Sequence, residues 1–529
     1  VDEIESVMHE LGLAFVAGLT QPGSMQAASA QRSRWSQTYD AAGARTLVGR
    51  WGRDLDAALD VLTHRVLREN GTTGVCIVEV SGDEAGNYTV SCSGDLPSLP
   101  FRLVLDDSYR YPHHPRPGLP KPAAADNDGR PTDPEVLAEV RGLVAEFTRH
   151  HVRLNGKPPR FEPGYGEAEI LAVENQLGVR LPEDVRALYR TIHHDVESGL
   201  LGRFSPAPLE QLVTWYQEGE PGAYGWNDDL FAYDPVVFET HPHGHVRRLS
   251  RSDWWVTFAP DHGMNFAVLD LDPGPLGSYG QILTFGRDVW GPIGYVAPSI
   301  RHLMRQVIDS MRAAAPGEEE WDAGEWDAPS YEWLVDVDGR SVGDLVATLA
   351  DPPTIQAVHL RQVDEVRLVD LAALPNLRSV RVLDVRRKAR FVDLSLPAGS
   401  PVEQLHVAAE RFDTRQLENN PHLRYLTLAG NDAPVSVAAL ARLPHLVRLD
   451  LAEATVADIS AVAAFPALRV LTLNAGQWGE LLHTGWSPEG LAGAEVAGRT
   501  SVPEATRWLT RIRGTSHAAA RHRTIHHAS

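Results

Sequence analysis

The chain has 529 residues, 43% of them apolar, and exceeds the ~250–300 residues at which one hydrophobic core usually stops growing, so two to four domains are expected. Lys and Arg total 49 against 70 Asp and Glu, a formal charge of -21. Such a field repels phosphate backbones and anionic lipid, which argues against nucleic acid or a membrane surface as a direct ligand. No window approaches ~18 uninterrupted apolar residues, so no transmembrane span is expected. The two cysteines, Cys76 and Cys92, sit on adjacent strands of one expected hairpin and form no disulfide framework, which fits a reducing cytoplasmic setting. The Ala, Val, Arg, Gly and Pro bias resembles that of a high-GC bacterium.

Residues 1–110 read as an α+β module with no chemical motif. It has an N-terminal helix and a helix with Leu55, Leu59, Leu62 and Val66 on one face. The strands "TGVCIVEV" and "GNYTVSCS" follow, joined by a third, "PFRLVLDD". Residues 111–132 are rich in Pro and Asp and read as an exposed linker. A helix follows, with Asp133 as N-cap and Pro134 in its first turn.

Residues 133–315 carry the most information. The helices "GEAEILAVENQLG" and "LPEDVRALYRTIHHD" precede a Trp-rich strand pair, "WWVTFAPDHGMNFAVLDLDP", then the turn "GPLGSYG", the strand "QILTFGRD" and a closing helix. Leu177-Gly178 ahead of Leu181-Pro182, the Trp at 254 or 255, Gly263, "LDLDP" at 269–273, Gly280-Gln281 and Ser299 occur in the order found in the SMI1/KNR4 family, also called the SUKH superfamily, which this segment resembles. One departure is "IHHDV" at 192–196, where members often carry an Asn-Gly or Asp-Gly turn. The resemblance implies a mixed α/β domain that binds proteins. Bacterial members look like immunity proteins that dock on toxin domains, often nucleases or nucleic-acid-modifying enzymes, and fungal relatives act as scaffolds in cell-wall signalling.

An acidic, Trp-containing linker is expected at 316–350. Beyond it, Ile355-x-x-Val358-x-Leu360 recurs in six copies at offsets of 22, 25, 21, 23 and 22, within the leucine-rich-repeat range of ~20–29 residues. Residues 351–480 are therefore read as a short leucine-rich-repeat solenoid, with Asn431 placed to satisfy backbone groups in a turn. A C-terminal cap at 481–514 and a disordered His/Arg-rich tail at 515–529 complete a multidomain α+β chain.

Asp270 and Asp272 point to the same side of an extended strand, as a catalytic or metal-binding pair would, yet no further ligands converge in sequence. Asp272-Pro273-Gly274 is a turn signature, so the pair is read as structural, with its carboxylates left as partner contacts. His241, His243 and His245 alternate as metal ligands might, with Asp261 and His262 as further ligands to test. Pro242 and Gly244 break the strand, and a solvated loop is the expected state. No phosphate loop, dinucleotide fingerprint or Gly-x-Ser-x-Gly elbow occurs, and no cofactor, metal or catalytic residue is assigned.

The candidate partner contacts of the middle segment are Trp226, Asp228, Asp229, Trp254, Trp255, Asp261, Asp270 and Asp272. On the concave face of the repeats they are His359, Arg361, Arg381, His406, Tyr425 and Arg448, a local reversal of sign in an acidic chain. The expected function is binding and neutralising a toxin domain. The alternatives are a scaffold joining protein partners, and an enzyme with its site in the N-terminal module or the aromatic cleft.

Overall fold

The computed structural model describes residues 3–17, 19–30, 33–40, 45–47, 57–62, 65–66, 75–96, 102–195, 198–218, 230–231, 235–261, 263–289, 291–314, 331–339, 342–383, 388–418, 420–497, 500, 502–513 and 522–527. In the N-terminal module the helix Glu3–Val16 buries Ile4, Val7, Met8, Leu11 and Phe15 against a sheet. Gly12 allows that contact, because a Cβ there would lie 2.3 Å from the Tyr88 ring. The sheet runs in the order His522–His527, Tyr88–Leu96, Val75–Gly82, Gly23–Ala30, Ser33–Asp40 and Arg45–Leu47, all antiparallel. Cys76 and Cys92 are buried, unbridged thiols on its two hairpin strands.

Two expectations fail in this module. The tail read as disordered supplies the edge strand His522–His527, where Thr89 Oγ1 lies 3.0 Å from His526 Nδ1 and the Tyr88 ring stacks on His527 at 4.9 Å. Strand addition is a backbone interaction with an unpaired edge, and the tail's polar side chains do not reveal it. The strand expected from "PFRLVLDD" leaves this sheet altogether. Arg102–Val104 pairs antiparallel with Gly493–Ala497, at the far edge of the repeat sheet.

The Pro-rich stretch after it, largely exposed as expected, is a strap fastened to the central domain at several points. The amides of Gly118 and Leu119 donate to Asp253 at 2.8 and 2.7 Å, Ala125 is buried, and its carbonyl accepts from the Arg180 amide at 2.9 Å. The Arg130 carbonyl accepts from the guanidiniums of Arg180 at 2.9 Å and Arg186 at 3.1 Å. Proline removes donors but keeps every carbonyl, so such a segment packs where arginines meet those carbonyls.

Arg186 belongs to the central domain, where it lies fully buried and also pairs with Glu174 and Glu167. That domain opens with the helix Pro134–Asn155, whose first amides bond the Asp133 side chain as expected. The helices Glu167–Leu177, Glu183–Thr191, Leu209–Glu218 and Ile300–Ala313 share one apolar core with a four-stranded antiparallel sheet ordered Gly294–Ala297, Gln281–Gly286, Asn265–Asp270, Trp255–Pro260. The departure at 192–196 is a short strand, Ile192–Asp195, paired with Phe161–Pro163.

The six apolar ladders all become strands of one sheet in chain order, parallel throughout, with Val358 and Leu360, Leu426 and Leu428, Leu449 and Leu451 among the side chains turned into its core. The returns carry single 3-10 turns such as Leu368–Leu371, Thr414–Leu417 and Ile459–Ala464. Asn431 satisfies the turn backbone, donating to the carbonyls of Ala433 and Thr455 at 2.8 and 2.7 Å and accepting from the Thr455 amide at 3.1 Å. The sheet also runs past both ends of the periodic segment. Leu334–Asp338 adds a parallel strand inside the expected acidic linker, and Gly493–Ala497 adds another inside the expected cap.

Replacing Arg186 by Met leaves Glu174 charged and buried without its partner. Arg186→Met should lower central-domain stability by about 3–5 kcal/mol, read from denaturant unfolding of the full chain.

Candidate functional site

Four of the candidate contacts of the central domain, Trp254, Trp255, Asp261 and Asp270, are taken up inside it. Trp254 and Trp255 are 9% and 4% exposed and belong to the core. Asp261 is spent on its own turn, accepting from the amides of Gly263 and Asn265 at 2.7 and 2.9 Å and from the Asn265 side chain at 2.8 Å. Asp270 is fully buried; it accepts from the Asp272 amide at 3.0 Å and from Gln281 Nε2 at 2.7 Å, and Gln281 in turn donates to the His245 carbonyl at 2.8 Å. Asp270 therefore locks the 245 loop onto the turn after the strand. Gly277 completes that lock, since a Cβ there would come within 2.1 Å of the His245 carbonyl oxygen. Asp272, partly exposed, pairs with Arg247. Trp226, Asp228, Asp229 and His262 lie outside the described residues.

The described histidines of the 241–245 loop meet local neighbours. His243 Nδ1 faces Glu239 at 3.1 Å, His245 Nδ1 faces the His243 carbonyl at 3.3 Å, and the His241 and His243 rings are 5.8 Å apart. Among the described residues no three His, Cys, Asp or Glu side chains are placed to share an ion.

On the repeat sheet the face opposite the apolar ladders divides into rows. The first row, at the strand starts, includes Ala357, Tyr425 and Val470, and these are buried against Tyr111, Leu230, Phe231, Val236 and Phe238 of the strap and central domain. Tyr425 is 2% exposed and so withdrawn from any partner, while Arg448 in the same row is half-buried. Strand phase correctly turns these side chains away from the ladder core, but phase carries no information about a second domain laid across them.

The next row stays more open. His359 Nδ1 lies 3.4 Å from Asp336, and Arg361 is 3.2 Å from the same carboxylate. Arg381 and His406 occupy the same row on the following strands, half-buried. Burial lowers the His359 imidazole below its ordinary value and takes His406 down to about 4, with Arg381 adding to both and His359 to the second. At neutral pH these imidazoles are uncharged, and the positive charge of the row rests on Arg361 and Arg381.

A polar clamp fixes the central domain to the rim of the sheet. Glu403 accepts two hydrogen bonds from Arg248, at 2.7 and 3.0 Å, and one from Arg378 at 2.7 Å. Arg378 also pairs with Glu239, whose backbone amide and carbonyl bond the Gln356 side chain at 2.7 Å each. Burial works to raise the Glu403 carboxyl, yet Arg248 and Arg378 hold it below its ordinary value. None of these residues carries a motif. The available signal was register: the position after the first apolar residue of each repeat reads Gln356, Arg378, Glu403, Arg424, Val447, Arg469, and most of these are charged or polar.

Residues 164–306 match the SMI1 / KNR4 family (SUKH-1) model, and the central segment is an SMI1/KNR4 domain. The chain is similar to the cell wall biosynthesis/cell cycle regulator smi1 of Schizosaccharomyces pombe, 27% identical over 186 residues, which is 33% of this chain and 33% of that protein. No helix among the described residues is long and apolar enough to cross a membrane.

Burial pushes the Asp270 carboxyl from 3.8 up to about 7, against the hydrogen bonds from Gln281 and Trp255 that favour its charged form. A raised folded pKa means that stability from this group is complete below the unfolded value and is lost as pH rises through the folded one. Asp270→Asn has no such dependence. The melting temperature of the unaltered protein relative to Asp270→Asn should therefore fall between pH 5 and 8, as read by thermal unfolding at matched ionic strength.

Proposed function

We propose that this chain is a protein-binding SUKH protein in which the SMI1/KNR4 domain and a leucine-rich-repeat sheet act as one docking body. It binds and restrains a protein partner, a toxin domain of the nuclease or nucleic-acid-modifying class, as an immunity protein does. The observation that carries the docking surface is the partly open row of His359, Arg361, Arg381 and His406 on a sheet otherwise set in a chain of charge -21. Two guanidiniums there suit carboxylates on a partner, while the acidic remainder suits the basic cleft of an enzyme that acts on nucleic acid. Asp272 and the aromatic-rich stretch around Trp226, Asp228 and Asp229 are the central domain's remaining contacts in this reading.

A second reading, a scaffold or regulator joining protein partners, is favoured by the similarity to a fungal protein described as a cell wall biosynthesis/cell cycle regulator. Both readings use the same surface, and they differ in whether the partner is inhibited.

The test is co-expression with the product of an adjacent toxin-like gene. The immunity reading expects rescued growth and a stoichiometric complex. The double reversal Arg361→Glu, Arg381→Glu should weaken that complex at least tenfold, about 1.4 kcal/mol, without changing the circular dichroism of the protein. A stable complex without inhibition favours the scaffold, and the failure of the chain to retain any protein from its native host would remove both readings.

A further inference from the structure

One edge of the N-terminal sheet carries a strand that suits it in backbone and little in side chain. The strand Tyr88–Leu96 turns Tyr88, Val90 and Cys92 into the apolar core of the module. There the Cys92 and Met8 sulfurs lie 3.7 Å apart, and His9 Nδ1 is 2.9 Å from the Tyr88 hydroxyl, so the helix Glu3–Val16 lies over this edge. A strand added here therefore enters beside both a strand and a helix. The tail strand His522–His527 does so, with Arg523 opposite Cys92, Ile525 opposite Val90 and His527 opposite Tyr88.

Directly opposite residues share a face of a sheet, so positions 523, 525 and 527 are the core-side positions of the tail. Isoleucine occupies one of them, and Ile525 is the tail residue packed on the core. Thr524, His526 and His527 are exposed, and the His527 ring covers Tyr88 from outside at 4.9 Å. Strand addition takes affinity from main-chain hydrogen bonds and specificity from alternate side chains, and the tail supplies the first with little of the second. The tail also reaches this edge from a distance. It follows the helix Val502–Arg513 by way of residues 514–521, and that helix packs at the end of the repeat sheet, with Trp508 5.8 Å from Trp478.

We propose that the edge Tyr88–Leu96 is a docking site for an extended segment of a partner protein with apolar, β-branched residues at three alternate positions, and that the tail strand is its internal competitor. Such a segment makes the backbone pairings that the tail makes and sets apolar side chains opposite Cys92, Val90 and Tyr88, where the tail sets one. A tethered tail competes at an effective concentration on the order of millimolar, so polar or irregular segments are refused and a well-matched strand displaces it. This edge belongs to another module than the row of Arg361 and Arg381, and its docking neither needs nor excludes a partner on that row.

Fluorescence anisotropy with a labelled Thr-Val-Thr-Ile-Thr-Val-Thr peptide tests the proposal on the full chain and on full-length Ile525→Asp, which sets a charge at the packed position of the tail and frees the edge. Ile525→Asp should bind the peptide at least tenfold tighter than the unaltered chain. Serine at the three apolar positions of the peptide, or proline in place of its isoleucine, should weaken binding to Ile525→Asp at least tenfold. Hydrogen exchange should slow within Tyr88–Leu96 of that variant when the peptide is added, which places the binding at this edge. The proposal is overturned if Ile525→Asp binds no tighter than the unaltered chain, if the serine peptide binds equally well, or if the freed edge pairs with a second copy of the chain and takes no peptide. Should Ile525→Asp lose its circular dichroism signal, Ile525→Ser decides by the same comparisons.

Discussion

The constraint on which the rest of the molecule depends is a backbone ladder at the strand starts of the repeat sheet. The amide of Arg378 bonds the carbonyl of Gln356, Glu403 bonds Arg378, Arg424 bonds Glu403, Val447 bonds Arg424, Arg469 bonds Val447 and Ala492 bonds Arg469. Each step repeats the strand spacing of roughly 4.8 Å, so the side chains at these positions stand in a straight rim of fixed order. A rim of this kind gives a second domain something to fit. Glu239, Arg248 and Asp106 meet Arg378, Glu403 and Arg469, and shifting the register by one residue would leave all of those charges without partners.

The seam so formed combines two kinds of interaction. Its apolar part, Tyr111, Leu230, Phe231, Val236 and Phe238 over Ala357, Tyr425 and Val470, removes hydrocarbon from water and supplies attraction without direction. Its polar part, centred on Glu403, supplies direction, since a carboxylate held by two guanidiniums tolerates little rotation. A consequence is that the SMI1/KNR4 domain and the sheet present their open surfaces in a fixed relation. A partner touching both meets a surface that is already organised, and it need not supply the free energy of ordering two linked domains.

The chain is also closed upon itself in a way that its linear order conceals. The segment Arg102–Val104 caps the last parallel strand, and the strand His522–His527 returns from the other end to the edge of the N-terminal sheet. Both are backbone additions to open strand edges, which otherwise invite pairing with other chains. Between them the strap from Gly118 to Thr132 is held mainly through its carbonyls, its amides at Gly118, Leu119 and Thr132, and the buried Arg186.

What the sequence by itself determined was whatever repeats locally or caps locally. The six apolar ladders became strands because alternation and a regular spacing are properties of neighbouring residues, and Asp133 and Asn431 bond backbone groups two or three residues on as their side-chain chemistry requires, whereas at 270–274 the local bond comes from Asp270 to the Asp272 amide and Asp272 itself pairs with Arg247. The motifs of the central domain were legible for the same reason, being short and ordered. Tertiary structure alone decided which of those residues face solvent. Asp270 and Asp261 look like surface carboxylates in sequence and are consumed inside the domain, Tyr425 has the phase of an outward residue and is covered by Tyr111, and the histidines of the open row lose their charge through burial. Exposure and protonation depend on which distant segment comes to lie across a face. For Tyr425 that segment lies hundreds of residues away in the chain, so no local pattern could report it.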